Sequence, residues 1–382
     1  MKKLFVGLAA ILMVMLFAVP MASATTASTT YEWGHPVAKG GPGAVPTALP
    51  LVSQEAFVDA GNSGDAAITP SGTIQTWGGD SKSMTSVNQP GPTNVVQIQD
   101  GDDIFIALSA PSGTSDCPTD TSVWVWGHGE DGDLGTGVAT QVSSTPIELP
   151  SLSGIGVVQV VAASRHMMAL TCTGQVYVWG WNVLDDLALS KPDQLDVPTF
   201  NSAISSLTGG TSNGVMLSDG RDQSSILVNG QEWTWGDDES GQCGCGFVTK
   251  QIATPVKVTQ STPFAYIDDG GDEGDNGHDL ALDANGNVYC WGYNALGECG
   301  QGNTNLVDTP TVVPGLPTAA TVAAGGEYSL VLDTSGNVWA FGYNGDHEVD
   351  SSGNTAVTSP EEIFSGATQI SAGAQHAVAV VG

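Results

Sequence analysis

Short runs of alternating apolar and polar residues recur along the chain and end in an aromatic residue followed by glycine, as in "QVYVWG" and "NVYCWG". Alternation over four to six residues, bounded by turns such as "DANG" and "DTSG", predicts antiparallel strands joined by hairpins. Upstream of the turn lies a strand of small residues, "VAAGG" or "ISAGA", suited to a crowded inner position. Downstream, a Gly-rich segment leads to a Thr-Pro pair that opens an outer strand, where proline is tolerated. Long helical periodicity is absent.

The markers are Trp33, Trp77, Trp126, Trp179, Trp235, Trp291 and Phe341, each followed by Gly, at spacings of 44, 49, 53, 56, 56 and 50 residues. A period of about 51 residues is that of a large propeller blade. The last segment, "QISAGAQHAVAVVG", holds two inner strands and stops before any marker. The early segment "TYEWGHPVAKGGPGAVPTALP" holds a marker strand, a Gly-rich loop and an outer strand. Together they make one repeat. The predicted fold is an all-β, seven-bladed β-propeller over residues 25–382, its ring closed by N-terminal strands that complete the C-terminal blade.

Residues 1–24 carry Lys2 and Lys3, an apolar run from Leu4 to Val19 and the small triplet Ala22-Ser23-Ala24. That order predicts a secretory signal peptide and a secreted protein; the alternative is an uncleaved anchor. The formal charge of −31 becomes −33 on 358 residues once Lys2 and Lys3 are removed. Such a field repels phosphate backbones and anionic lipid, which excludes nucleic acid and membrane surfaces as partners and favours cations or basic proteins.

Two segments, "VAAGGEYSLVLDTSGNVWAFGYN" and "HDLALDANGNVYCWGYNALGECGQG", resemble the regulator of chromosome condensation repeat family. The resemblance covers essentially the whole chain after the signal and implies a seven-bladed propeller. For function it implies binding of another macromolecule, since family members include a nuclear exchange factor and a secreted inhibitor of β-lactamases.

Among candidate sites, the marker aromatics are expected to pack between blades, with Trp124, Trp233 and Trp339 on the same strand faces. Trp181 follows Gly180, where other blades have Tyr293 and Tyr343, and is a candidate for partner contact. His166, His278 and His376 share one repeat position, matched by Tyr328, Ile104 and Asn213 elsewhere, so that position is structural. No metal-ligand spacing of histidines, nucleophile elbow or phosphate loop occurs. An insertion in blade 5, "DDGGDEGDNGHD", carries Asp268, Asp269, Asp272, Glu273, Asp275 and Asp279 as further contact candidates. Asp272, Asp275 and Asp279 could offer oxygens to calcium, although the spacing departs from the EF-hand loop and a solvated acidic loop is the plainer reading.

Six cysteines suit an exported chain. Cys117 and Cys172 fall at equivalent turns of blades 2 and 3 and are expected to bridge them. Cys243, Cys245, Cys290 and Cys299 point to a bridge between blades 4 and 5, with its connectivity open. The expected function is that of a monomeric, non-enzymatic binder of an extracellular or envelope protein, without a required cofactor. A carbohydrate-binding module, or a hydrolase or lyase at the propeller mouth, is the alternative.

Overall fold

The computed structural model describes residues 29–34, 43–53, 57–61, 64–69, 72–78, 91–101, 104–111, 117–271, 277–345, 347–349 and 354–382. The expected signal peptide lies outside them, as does the side chain of Trp77. Seven antiparallel sheets succeed one another along the chain, six of four strands and blade 1 of three among the described residues. Blade 3, for instance, runs outward through Val157–Ala162, His166–Thr171, Val176–Trp181 and Gln194–Asn201. Blade 4 follows with Val215–Asp219, Gln223–Val228, Gln231–Asp237 and Gln251–Lys257. Blade 5 uses Phe264–Asp269, His278–Asp283, Val288–Gly292 and Val307–Val312.

Blade 7 joins the two ends of the chain. Ala367–Ala372 and His376–Val381 pair with each other, and Thr29–Gly34 then pairs with His376–Val381 in the register Thr29↔Val381 to Gly34↔His376. Gly43–Ser53 completes the sheet. The predicted closure is thus the observed one, and it removes the open edges that a broken ring would expose.

Why the marker is an indole becomes clear at the blade junctions. Trp33, Trp126, Trp179, Trp235, Trp291 and Phe341 are all at most 2% exposed. Beyond filling the space between blades, four of the indoles donate to a loop carbonyl of the preceding blade: Trp33 to Glu348 (2.8 Å), Trp179 to Asp133 (2.8 Å), Trp235 to Asp186 (2.8 Å) and Trp291 to Gln242 (2.9 Å). A buried indole N–H needs such a partner. Three of the accepting loops are pinned in turn by a buried side chain just after the marker: Asn182 accepts from Leu187 N–H (2.9 Å), Asn344 from Val349 N–H (3.0 Å), and Asp238 from Cys243 N–H (3.0 Å).

Near the axis the inner strands are clasped by side chains. Asp59, Gln99, Ser218, Asp268 and Ser371 each accept the backbone N–H of a residue in the next blade: Asp100, Ala162, Asp269, Ala324 and Ala60, at 2.7 to 3.0 Å. Val161 and Ala323 hold that position in blades 3 and 6. Glycines follow because backbones nearly touch here: a Cβ on Gly373 would lie 2.1 Å from Gly61 O, and one on Gly270 2.5 Å from Gly325 O.

The expected bridge between blades 2 and 3 forms, Cys117 to Cys172, with Cα atoms 5.1 Å apart. The bridge expected between blades 4 and 5 does not. Cys290 instead pairs with Cys299 inside blade 5. Cys243 packs in the core shared by blades 3 and 4, and both it and Cys245 are free thiols. The two loop cysteines therefore serve different junctions.

Candidate functional site

The loops from first to second strand open on one face of the ring and surround an axial cavity of about 120 Å³. Residues after the marker glycines turn onto the same face, because each donates its backbone N–H to one of these loops: Trp181 to Arg165 O (2.8 Å), Asp237 to Asp222 O (2.7 Å), Tyr293 to Gly277 O (2.9 Å) and Tyr343 to Glu327 O (2.7 Å). Trp181 is half-buried, and the Arg165 guanidinium lies over its ring, 5.5 Å from the centroid. A cation over an indole face is an attractive, orienting contact. Arg165 and Arg221 are the only arginines in the chain, and both stand on this face, in neighbouring blades. Arg221 faces Asp222 across 3.5 Å.

Gly271 and Gly277, the described residues that flank the acidic insertion of blade 5, stand on the same face, but the carboxylates of the insertion divide. Asp272, Glu273 and Asp275 lie outside the described residues. Asp268 and Asp269 belong to the inner strand; Asp268 clasps blade 6, and Asp269 accepts from Ser225 Oγ of blade 4 at 2.5 Å. Burial pushes the Asp268 carboxyl up to about 8 and that of Asp269 up to about 7. Of the expected calcium set, only Asp279 is described. It sits on the second strand, 2% exposed, and accepts from the Gln223 amide of blade 4. It therefore points into a blade junction rather than into the loop.

The shared histidine position is structural, as its tolerance of Tyr328 and Ile104 implies. His166 Nε2 contacts Asp219 Oδ1 (2.6 Å) and Ser224 Oγ (2.9 Å) of blade 4; His278 contacts Ser329 of blade 6 (3.0 Å), and His376 contacts Asp65 of blade 1 (2.8 Å). Burial pulls His166 down, but the Asp219 carboxylate outweighs it and holds the imidazole at about 9. His278, buried with no such carboxylate, falls to about 4. In blade 4 the assignment to Asn213 needs correction. Gln223 pairs with Gly236 as His166 pairs with Gly180, so Gln223 occupies the position. The short helix Ser202–Ser205, capped by the Asn201 side chain, and the loop after it delay the inner strand until Val215, leaving Asn213 ahead of that strand.

Sequence reasoning passed over Glu232. Its side chain is fully buried against blade 5, in a column filled by Ile74, Val123, Val176, Val288 and Val338 in other blades. An acid in a column of branched aliphatics was the available signal.

The sequence profile of the RCC1-like domain matches residues 28–379. The ultraviolet-B receptor UVR8 of Arabidopsis thaliana is 30% identical over 178 residues, 47% of this chain and 38% of that protein. Protein pim1 of Schizosaccharomyces pombe is 27% identical over 309 residues, 69% of this chain and 52% of its own length. The mouse E3 ubiquitin-protein ligase HERC2 is 31% identical over 211 residues, which span 53% of this chain but 4% of the ligase. Among solved structures, human WBSCR16 superposes with a TM-score of 0.74 at 19% identity, covering 93% of this chain and 98% of that one. Prp20p of Saccharomyces cerevisiae, described with its binding properties to Gsp1p and histones, gives 0.73 at 18% identity, covering 94% and 92%.

Proposed function

The chain belongs to the RCC1-like domain family, and from that premise we propose that it is a secreted, non-enzymatic propeller that binds a protein through the face carrying Arg165, Trp181 and Arg221. One observation carries the reading. In a chain of net charge −31, both arginines and a half-buried tryptophan gather on the face where the axial cavity opens. Tryptophan and arginine are the residue types enriched at binding hot spots. The strongly acidic remainder steers basic surfaces toward the molecule, while the Arg165 guanidinium over the Trp181 ring offers an acidic group on the partner a place to dock.

The axial carboxylates are tied into the blade junctions: Asp219 Oδ1 is held by His166 and Ser224, and Asp269 Oδ2 by Ser225. Calcium is not required by this reading. Half-buried Tyr293 and Tyr343, on the same face as Trp181, favour a carbohydrate as the second reading, since aromatic rings also stack on sugars.

The test is capture by immobilised protein from the producing organism's culture fluid and envelope extract. One protein retained stoichiometrically, lost with Trp181→Ala and Arg165→Ala and kept with Ala284→Arg on the opposite face, is the expected result. Retention of glycan in place of protein moves the assignment to the second reading; retention that ignores Trp181 and Arg165 overturns the proposed face.

A further inference from the structure

The junction of blades 4 and 5 is built differently from its neighbours. One part of it is an apolar core of Leu227, Val258, Phe264, Ile267, Ala281, Tyr289 and Trp291. Beside that core, three acids meet. Glu232 comes from the third strand of blade 4, and Asp269 and Asp279 face each other across the first two strands of blade 5. They are 0%, 8% and 2% exposed, and one carboxylate oxygen of each lies within 4.8 Å of the other two.

A cluster of acids alone would be unremarkable on so acidic a chain, but here several of the oxygens have no protein partner among the described residues. Neither Glu232 oxygen is hydrogen-bonded among them, nor is Asp269 Oδ1; Gln223, whose amide N–H₂ donates to Asp279, leaves its own Oε1 unpaired. Burying a carboxylate without a partner costs several kcal/mol in general, and clustering three adds repulsion. Among the described residues, the charged neighbours that raise Glu232 and Asp279, after burial itself, are acidic: Asp269 for both and Glu232 for Asp279.

We propose that Glu232, Asp269 and Asp279 form a calcium site wedged between blades 4 and 5. The donors are all oxygen, the set that hard divalent cations take, with nothing to select a transition metal. Calcium–oxygen distances of about 2.3–2.6 Å place ligand oxygens up to about 4.6–5.2 Å apart across the ion, so a mutual separation within 4.8 Å accommodates it. Asp269 lines the axial cavity, which gives the ion a path from the loop face. An ion here ties the third strand of blade 4 to the first two of blade 5 and acts as a staple between repeats. The site is independent of the partner-binding reading and is tested on the isolated protein.

The experiment measures bound calcium after chelation, reloading and desalting, and follows the melting temperature at about pH 7.5 with calcium or with chelator. The expected result is one calcium per chain and a higher melting temperature with the ion. Glu232→Gln preserves shape and removes one charge; it is expected to weaken calcium binding at least tenfold while melting no lower than the wild type in chelator, because it also relieves repulsion. Asp272→Asn with Asp275→Asn, in the insertion, should leave binding unchanged. Absence of bound calcium and of a thermal shift overturns the proposal. So does calcium binding that survives Glu232→Gln but is lost in the insertion double variant, which would place the ion in the loop. If Glu232→Gln fails to fold, Asp279→Asn provides the same reading.

Discussion

The junctions of blades 3/4 and 4/5 share one backbone address and solve it with opposite chemistry. From the same repeat position, His166 reaches from blade 3 to Asp219 and Ser224, and Gln223 reaches from blade 4 to Asp279. At the first junction a base meets an acid and the charges close on each other. At the second the base has become a neutral amide while the acids have multiplied, so the negative charge has no internal answer. In a repeat protein the geometry of a contact is inherited by every copy, but its electrostatics are set by the particular pair of blades.

The broadest way to probe this difference is pH. Burial raises the carboxyls of Asp59, Asp133, Asp186 and Glu298 to about 7 and that of Asp268 to about 8. Each folded value lies above the unfolded one, so each contributes stability that is complete below the unfolded pKa and is lost as pH rises through the folded value. His166 acts in the same direction, losing its contribution as pH climbs through about 9. His278, lowered to about 4, opposes them, but only as pH falls below the ordinary histidine range. Calorimetry in chelator should show the melting temperature falling from about pH 6 to pH 9.

Removing the base at the 3/4 junction is the largest single change. His166→Ala leaves Asp219 buried beside Ser224 without its counter-charge and is expected to cost about 3–5 kcal/mol near pH 6 by urea unfolding. The loss should shrink above about pH 9, where the imidazole is already neutral in the native state. A smaller effect is expected of Trp291→Phe at the 4/5 junction. Blade 6 already uses Phe341 at this position, so the ring is tolerated, and the lost bond to Gln242 O should cost about 1–2 kcal/mol in the same assay. Smallest is Gln223→His, which gives the 4/5 junction the base its neighbour has. It should stabilise the calcium-free protein by about 1 kcal/mol at neutral pH and reduce calcium affinity, read by thermal shift with and without the ion.

Much of the fold could be read from the chain because a propeller repeats its solution. The marker aromatics, the small-residue inner strands and the split blade each recur or complete a recurrence, so a single ambiguous segment is corrected by the others. The Cys117–Cys172 bridge was legible for the same reason, since both residues fall at one turn of adjacent blades. What escaped was what does not repeat. Asn213 falls near the shared position by residue count alone because the helix Ser202–Ser205 lengthens blade 4, and Cys299 pairs inside its own blade while Cys243 packs at another junction. Glu232 was visible only as an exception, an acid among valines, and its partners Asp269 and Asp279 come from a strand pair some forty residues downstream. Trp181 follows its marker glycine onto the loop face, but nothing in the sequence says that Arg165 lies over it.

The shared seventh blade has a consequence for the order of events during synthesis. Trp33 donates to Glu348 across 315 residues, and the strand Thr29–Gly34 has its inner neighbour only at His376–Val381. Contacts of such separation carry the heaviest loop-closure cost and form late. On a ribosome, the strand Thr29–Gly34 must wait, unpaired on its inner edge, until His376–Val381 has been made. Closure of the ring is therefore a late step, and the chain must be kept from pairing that waiting edge with another copy until the matching strand arrives.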